Sequence, residues 1–212
     1  MFIDFVLPKD NEKEFIKIAE KLNIDGLCFI YAFRNKDNFF KQNEKIKKLQ
    51  EKTKIRLFSG LVADSKNIVK VKKLANIVVY RSTGNDRHAI EKSRANVVFG
   101  LETIAARDSM HHRNSGLNQV LCKLANKNNI MIGFSFSTIL NTEGIIRSQI
   151  LGRMMQNIRL CRKYNVKTII ASFAEKPYGL RPCPDLKSVF ISLVMHPKEA
   201  NDSLENIYKH LS

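Results

Sequence analysis

Apolar positions along this chain recur with two alternating periods. Short β-rich runs are followed by stretches whose apolar residues fall three or four apart, and the alternation continues nearly from end to end. Strands are predicted over residues 2–6, 26–33, 55–63, 77–80, 97–101, 130–136 and 168–173. Helices are predicted between them over 10–22, 38–52, 86–93, 116–126 and 144–164, with one more following residue 64. In the first helix Phe15, Ile16, Ala19 and Leu22 share a face, with acids in the opening turn and lysines later. The second places Phe40, Ile46 and Leu49 inward. The one after residue 64, capped by Asp64 or Ser65, has Val69, Val71, Leu74 and Ala75 as its apolar positions. The long stretch 144–164 carries Ile146, Ile150, Leu151, Met154, Met155 and Ile158 on one stripe, which is core packing rather than a cofactor box. Two closing helices, 184–195 and 197–211, each open on a proline.

Strands that alternate with helices pair in parallel through right-handed crossovers. No Gly-x-Gly-x-x-Gly follows the first strand and the units are evenly spaced, which favours a barrel over a doubly wound sheet. The expected fold is α/β: a TIM-barrel-like (β/α) single domain spanning residues 1–212, with about seven parallel strands. No eighth strand is visible, so the C-terminal helices are expected to seal the remaining gap. No linker, low-complexity tract or repeat divides the chain.

Composition is ordinary except in its charge. A hydrophobic fraction of 44% is ordinary for a globular chain. Apolar runs such as Ile77-Val78-Val79-Tyr80 are too short to span a bilayer, and the N-terminus lacks the pattern of a signal peptide, so the expectation is a cytoplasmic protein without membrane contact. Cys28, Cys122, Cys161 and Cys183 are far apart, with no Cys-x-x-Cys pair, and the first three sit inside apolar patterns as small hydrophobes. Charge is different: 36 Lys and Arg against 20 Asp and Glu give +16. Such an excess repels itself unless a polyanion screens it. It is spread along the chain rather than gathered on a terminal amphipathic helix, which favours nucleic acid over a membrane surface.

The excess sharpens after residue 108. Between Asp108 and Glu175 a single acid, Glu143, faces nine basic residues: Arg113, Lys123, Lys127, Arg147, Arg153, Arg159, Arg162, Lys163 and Lys167. Structural surfaces intersperse both signs, so a stretch this poor in carboxylates reads as a face for phosphate. Inside it, residues 107–118 follow strand five and are dense in Arg, His and Asn, on a loop that in a barrel faces the C-terminal rim. Guanidinium and imidazole rings stack on unpaired bases and donate to phosphate, which suits folded RNA. Ser115 is a candidate cap for the helix expected from Gly116. Two further rim segments are basic: Arg81 with Arg87 beyond Gly84-Asn85, and 175–182 with Lys176, Tyr178 and Arg181.

A self-sufficient active site is not expected. The strand ends present Ser59, Arg81 and Ser135, which are poor metal ligands, and no His-x-His follows strand one. Two rival readings remain open at this point. One is a metal-dependent phosphoesterase using Asp4, Glu102 and His112. The other is a basic adaptor that meets an acidic protein.

The run from His112 through Arg113-Asn114-Ser115-Gly116-Leu117-Asn118 to Ala125, followed by Asn129-Ile130-Met131-Ile132-Gly133-Phe134-Ser135, resembles the archaeal ribonuclease P protein component 3 family. The opening Phe2-Ile3-Asp4-Phe5 and the late Leu180-Arg181-Pro182-Cys183-Pro184-Asp185-Leu186 are similar to the same family. The resemblance implies a barrel distantly similar to polymerase-and-histidinol-phosphatase-type metal hydrolases, without their metal-binding histidines. It implies work with a catalytic RNA that removes the 5′ leader of precursor tRNA using magnesium held on that RNA, so no catalytic residue, metal or cofactor is expected on this chain. Expected partners are the ribonuclease P RNA, a small RNA-binding protein subunit and the other ribonuclease P proteins, with precursor tRNA as substrate of the complex. By position, Arg107, His112, Arg113 and Lys123 become RNA contacts, and rim geometry adds Arg81, Arg87, Lys176 and Arg181.

Overall fold

Among the described residues, seven parallel strands lie side by side in their order along the chain. The computed structural model describes residues 1–64, 66–93 and 95–211. Ser65, one of the two candidate caps, lies outside the described residues. Strand β1 (Ile3–Val6) leads through α1 (Glu12–Lys21) to β2 (Gly26–Ala32), and α2 (Lys36–Gln50) leads to β3 (Arg56–Ala63). Next come α3 (Ile68–Lys72) and β4 (Val78–Arg81), then α4 (Asp86–His88), which widens into a π turn at Ala89–Ser93 before β5 (Val97–Phe99). A 3-10 turn (Leu101–Thr103), a long loop and α5 (Gln119–Lys127) precede β6 (Met131–Ser135). The short α6 (Phe136–Leu140) and the long α7 (Gly144–Lys163) lead to β7 (Thr168–Ala171), and α8 (Cys183–Ser192) and α9 (Pro197–Leu211) follow it.

The strands wrap around an interior core that includes Ile3, Phe5, Cys28, Ile30, Val79, Val97, Met131 and Ile169, while the alternate residues of each strand pack outward against the helices. Burial on both faces is why the strands read as near-continuous apolar runs. The lower end of the interior is stoppered by α9, whose Ile207 joins the inner core with Tyr208 and Leu211 packed beside it. There the Arg56 guanidinium lies 5.6 Å from the centre of the Tyr208 ring.

Among the described residues a seam stands in place of an eighth strand. The backbone bridges Val6 to Ala174, and the Leu7 N–H donates to the Ala174 carbonyl at 2.8 Å. One turn of pleat earlier, the Asp4 carboxylate accepts the Ser172 N–H at 2.6 Å, doing what a ladder carbonyl does elsewhere in the sheet. On the outer side of β7, Asn206 of α9 donates to the Thr168 carbonyl at 2.9 Å and Ser203 meets the Thr168 hydroxyl at 2.6 Å. Backbone groups that an open edge would expose are thus satisfied by side chains. The expectation that closing helices seal the gap holds for α9.

Several predicted helix faces are corrected. Phe39, not Phe40, faces the core with Ile46 and Leu49, because positions 39, 46 and 49 share a helical face and 40 lies about 100° away. Phe40 is 48% exposed, with the Lys36 ammonium over its ring. Val69 is 59% exposed, and Ile68 and Val71 take the inward positions. Ile146 is 61% exposed because the 20 residues of α7, about 30 Å long, overhang a strand roughly half that length. Helix α5 begins at Gln119 rather than Gly116. Gly116 holds a φ of +76°, and Asn118, not Ser115, caps the helix by accepting the Leu121 N–H at 3.0 Å. Ser115 is buried, with its hydroxyl donating to the Leu117 carbonyl. Cys28, Cys122 and Cys161 are buried, as expected of small hydrophobes.

Candidate nucleic-acid interface

Helices α5 and α7 lie side by side. Asn126 of α5 donates to the Tyr164 carbonyl at 3.0 Å, and the Tyr164 hydroxyl donates to Gln119 at 3.2 Å. Lys123 and Lys127 stand one helical turn apart on α5, and Arg159 and Lys163 stand likewise on α7. All four are exposed, and among the described residues none has an ion pair. The result is a pair of cationic rows without carboxylates, the arrangement that gains most from an anionic partner.

Not every basic residue of that stretch belongs to the face. Arg153 is 2% exposed. Its Nε donates to Asp108 at 2.7 Å, and its Nη1 donates to the carbonyls of Glu102 (3.0 Å) and Ala105 (2.7 Å). Arg162 is half-buried and donates to Glu199 of α9 at 2.7 Å and to the Val194 carbonyl at 2.5 Å. Arg147 bonds the Thr142 carbonyl. These guanidiniums meet carbonyls that would otherwise be orphaned, which a sequence pattern does not distinguish from surface charge.

The loop after β5 is a braced knuckle. Asp108 accepts from Arg153 and from the Asn114 N–H (2.9 Å). The Asn114 side-chain amide donates to the Arg107 carbonyl (2.8 Å), and the Ser109 N–H donates to the His112 carbonyl (3.0 Å). Partial burial works to raise the Asp108 carboxyl, but the hydrogen bonds from Arg153 and Asn114, with the charges of Arg153 and Arg113, hold it below its ordinary value. Below the loop, Asn157 of α7 donates to the Ser115 carbonyl at 2.9 Å. Gly116 fits because a Cβ there would fall 2.3 Å from the Leu101 carbonyl oxygen. The Arg113 guanidinium lies over Gly152 of α7, where an added Cβ would be 3.0 Å from Nε. Braced in this way, the knuckle turns Arg107, Met110 (94% exposed), His111, His112 and Arg113 to solvent.

The rim residues divide. Arg81 ends β4 in phase with inward-facing Val79 and so opens into the barrel mouth. Arg87 lies outside, exposed, in an i,i+4 ion pair with Glu91 at 2.9 Å. Lys176 is exposed. Arg181 is partly buried: its guanidinium donates to the carbonyls of Tyr178 and Leu180 and sits 5.5 Å from the Phe136 ring centre, so a loop structure occupies much of its capacity. Missed by the sequence reading were Arg34 and Lys41, which line the mouth beside Arg81. The available signal was that Arg34 lies just past the end of β2, as Arg81 ends β4.

The acids named for a phosphoesterase are placed apart in character. Asp4 is buried in the seam and Glu102 in the turn after β5, while His112 is exposed. Burial pushes the Asp4 carboxyl up to about 7 against the hydrogen bonds from Ser172, and burial pushes Glu102 up to about 7 as well. Among the described residues no group of three or more His, Cys, Asp or Glu side chains is arranged to hold a metal ion. No helix among the described residues is long and apolar enough to cross a membrane.

A family model described as RNase P subunit p30 matches residues 1–211. Ribonuclease P protein component 3 of Methanocaldococcus jannaschii is 28% identical over 205 residues, covering 93% of this chain and 85% of that protein. A chain of the cryo-EM structure of archaeal Ribonuclease P with mature tRNA superposes with a TM-score of 0.79 at 25% identity, over 98% of this chain and 89% of that one. The crystal structure of A. niger ochratoxinase shares the fold alone, with a TM-score of 0.60 at 10% identity over 96% of this chain and 69% of that one. A barrel closed by a side-chain seam, a braced motif loop and a match over nearly every residue lead to one conclusion: the chain belongs to the RNase P subunit p30 family.

Proposed function

We propose that this chain serves ribonuclease P as an RNA-binding subunit, holding the catalytic RNA of the complex while that RNA, with its own magnesium ions, removes the 5′ leader of precursor tRNA. The observation that carries this reading is the carboxylate-free pair of rows Lys123–Lys127 and Arg159–Lys163, beside a rigid loop that presents Arg107, His112 and Arg113. Phosphates would bind the rows through counterion release, and the loop would meet unpaired bases or the sugar–phosphate turn of a folded strand. Lys176, and more weakly the already engaged Arg87 and Arg181, extend the contact; Arg81 faces the mouth instead. The same proposal assigns a small RNA-binding protein subunit and the other ribonuclease P proteins as partners. It gives this chain no catalytic residue, no metal and no cofactor of its own.

Reconstitution with the RNA and companion subunits tests it. Precursor-tRNA cleavage should depend on this chain. Changing Arg107, Arg113 and Lys123 together to Ala should weaken RNA association. Its log–log salt slope should also become shallower by about one for each phosphate that the variant no longer neutralises. RNA association that is unchanged in the triple variant, or insensitive to salt, would overturn the reading.

A further inference from the structure

We propose that the mouth of the barrel is a second anion site, shaped for a phosphate monoester of nucleotide size and separate from the helical face proposed for the RNA backbone. A cavity of about 700 Å³ opens at the C-terminal rim between β1, β2, β4 and α2, and a smaller one of about 210 Å³ adjoins it, sharing Leu7, Arg81, Phe99 and Glu175. The first is of the size that holds small ligands.

Its charges are not balanced. The carboxylates are already engaged: Glu175 accepts Lys9 at 2.8 Å, and buried Glu12 accepts Lys45 at 2.8 Å on one oxygen and the Tyr31 hydroxyl at 2.9 Å on the other. Asp10 approaches the same Lys45 at 3.4 Å. Arg34, Lys41 and Arg81 remain without a carboxylate among the described residues. Five cations against three acids leave two positive charges in a mouth partly walled by apolar groups, where a phosphate dianion would be matched in charge. The floor is of a different kind. Phe99 stacks on Phe173 with ring centres 4.3 Å apart and planes 3° apart, and Ile30 and Val62 complete an apolar surface. Cations at the lip over an aromatic floor suit a ligand with a phosphate at one end and a flat ring at the other. A phosphate-bearing end of an RNA strand and a free nucleotide share this chemistry.

Calorimetric titration of the full chain with 5′-AMP, adenosine and inorganic phosphate tests the assignment, beside a short RNA carrying a 5′-phosphate or a 5′-hydroxyl. 5′-AMP should bind saturably and at least about tenfold more tightly than adenosine. Arg81→Ala and Lys41→Ala should each weaken it by about tenfold, whereas Lys123→Ala with Lys127→Ala should leave it unchanged. Both mouth residues are exposed, so thermal melting will show the variants folded. Competition of the 5′-phosphorylated RNA, but not its hydroxyl form, with 5′-AMP would uphold the site and name an RNA end as occupant. Binding of 5′-AMP without that competition would uphold it for a free nucleotide. The site is overturned if 5′-AMP binds no better than adenosine, or if Arg81→Ala and Lys41→Ala bind it like the parent. Because the row residues serve as the control, loss of this site and loss of RNA association are read separately.

Discussion

Arg153 donates its Nε to the Asp108 carboxylate at 2.7 Å, fastening the middle of α7 to the loop after β5. The same guanidinium bonds the carbonyls of Glu102 and Ala105, so one side chain orders the backbone from 102 to 108. Replacing it leaves one buried and one partly buried carbonyl unpartnered and takes from the Asp108 carboxylate its ion-pair partner, with only the Asn114 N–H still donating to it. Arg153→Met should therefore cost on the order of 3 kcal/mol, read as a lower urea midpoint. Arg153→Lys should recover only part of this, since one ammonium cannot span the three acceptors. An unaltered midpoint in Arg153→Met would show that the knuckle is held by something else.

Gly152→Ala separates stability from binding. The atoms nearest the added methyl all belong to the far end of the Arg113 side chain, which swings away at little cost, and Ala is favoured over Gly inside a helix by up to about 1 kcal/mol. The variant should melt at or above the parent temperature and yet bind ribonuclease P RNA less tightly, because Arg113 is displaced from its platform. Weaker melting together with unchanged RNA binding would refute the role given to that platform.

Changing Lys123, Lys127, Arg159 and Lys163 together to Gln should alter the urea midpoint little, since none has an ion pair among the described residues. Filter binding over a salt series should show a slope shallower by roughly three, at about 0.7–0.9 per phosphate neutralised. A parallel slope would place the RNA elsewhere on the molecule.

Asp4 and Glu102 make stability depend on pH. Burial raises both carboxyls to about 7, above the unfolded range near 4, so between those values the folded chain holds protons that the unfolded chain has released. Stability from these groups is complete below the unfolded values, falls as pH rises through the window, and levels off above about 7. Each group contributes at most about 1.4 kcal/mol per pH unit. Urea midpoints should be lower at pH 8 than at pH 5.5, and Asp4→Asn with Glu102→Gln should flatten the difference. Equal pH profiles for parent and double variant would rule these carboxyls out as its source.

The alternation of strands and helices was readable because parallel strands buried on both faces leave unbroken apolar runs, and the basic stretch after Asp108 was readable because charge is counted without geometry. Helix phase was harder: with Phe39 beside Phe40 and Ile68 beside Val69, one residue decides which ring or branch turns inward, and adjacent apolar pairs do not reveal it. The seam was invisible, since Ser172 and Asn206 are unremarkable polar residues and Asp4 reads as a candidate ligand until the barrel brings them together. Arg153 was misread for the same reason. An arginine in a helix looks like surface until the carbonyls that surround it are known.

The bond from Asp4 to Ser172 joins positions 168 residues apart, so during synthesis the first strand leaves the ribosome long before its lateral neighbour exists. In the interval its outer edge has unmatched amide and carbonyl groups, free to recruit a foreign strand. Completion of the cylinder is therefore a late event in biogenesis, and nascent chains halted before position 172 should be the ones that chaperones retain.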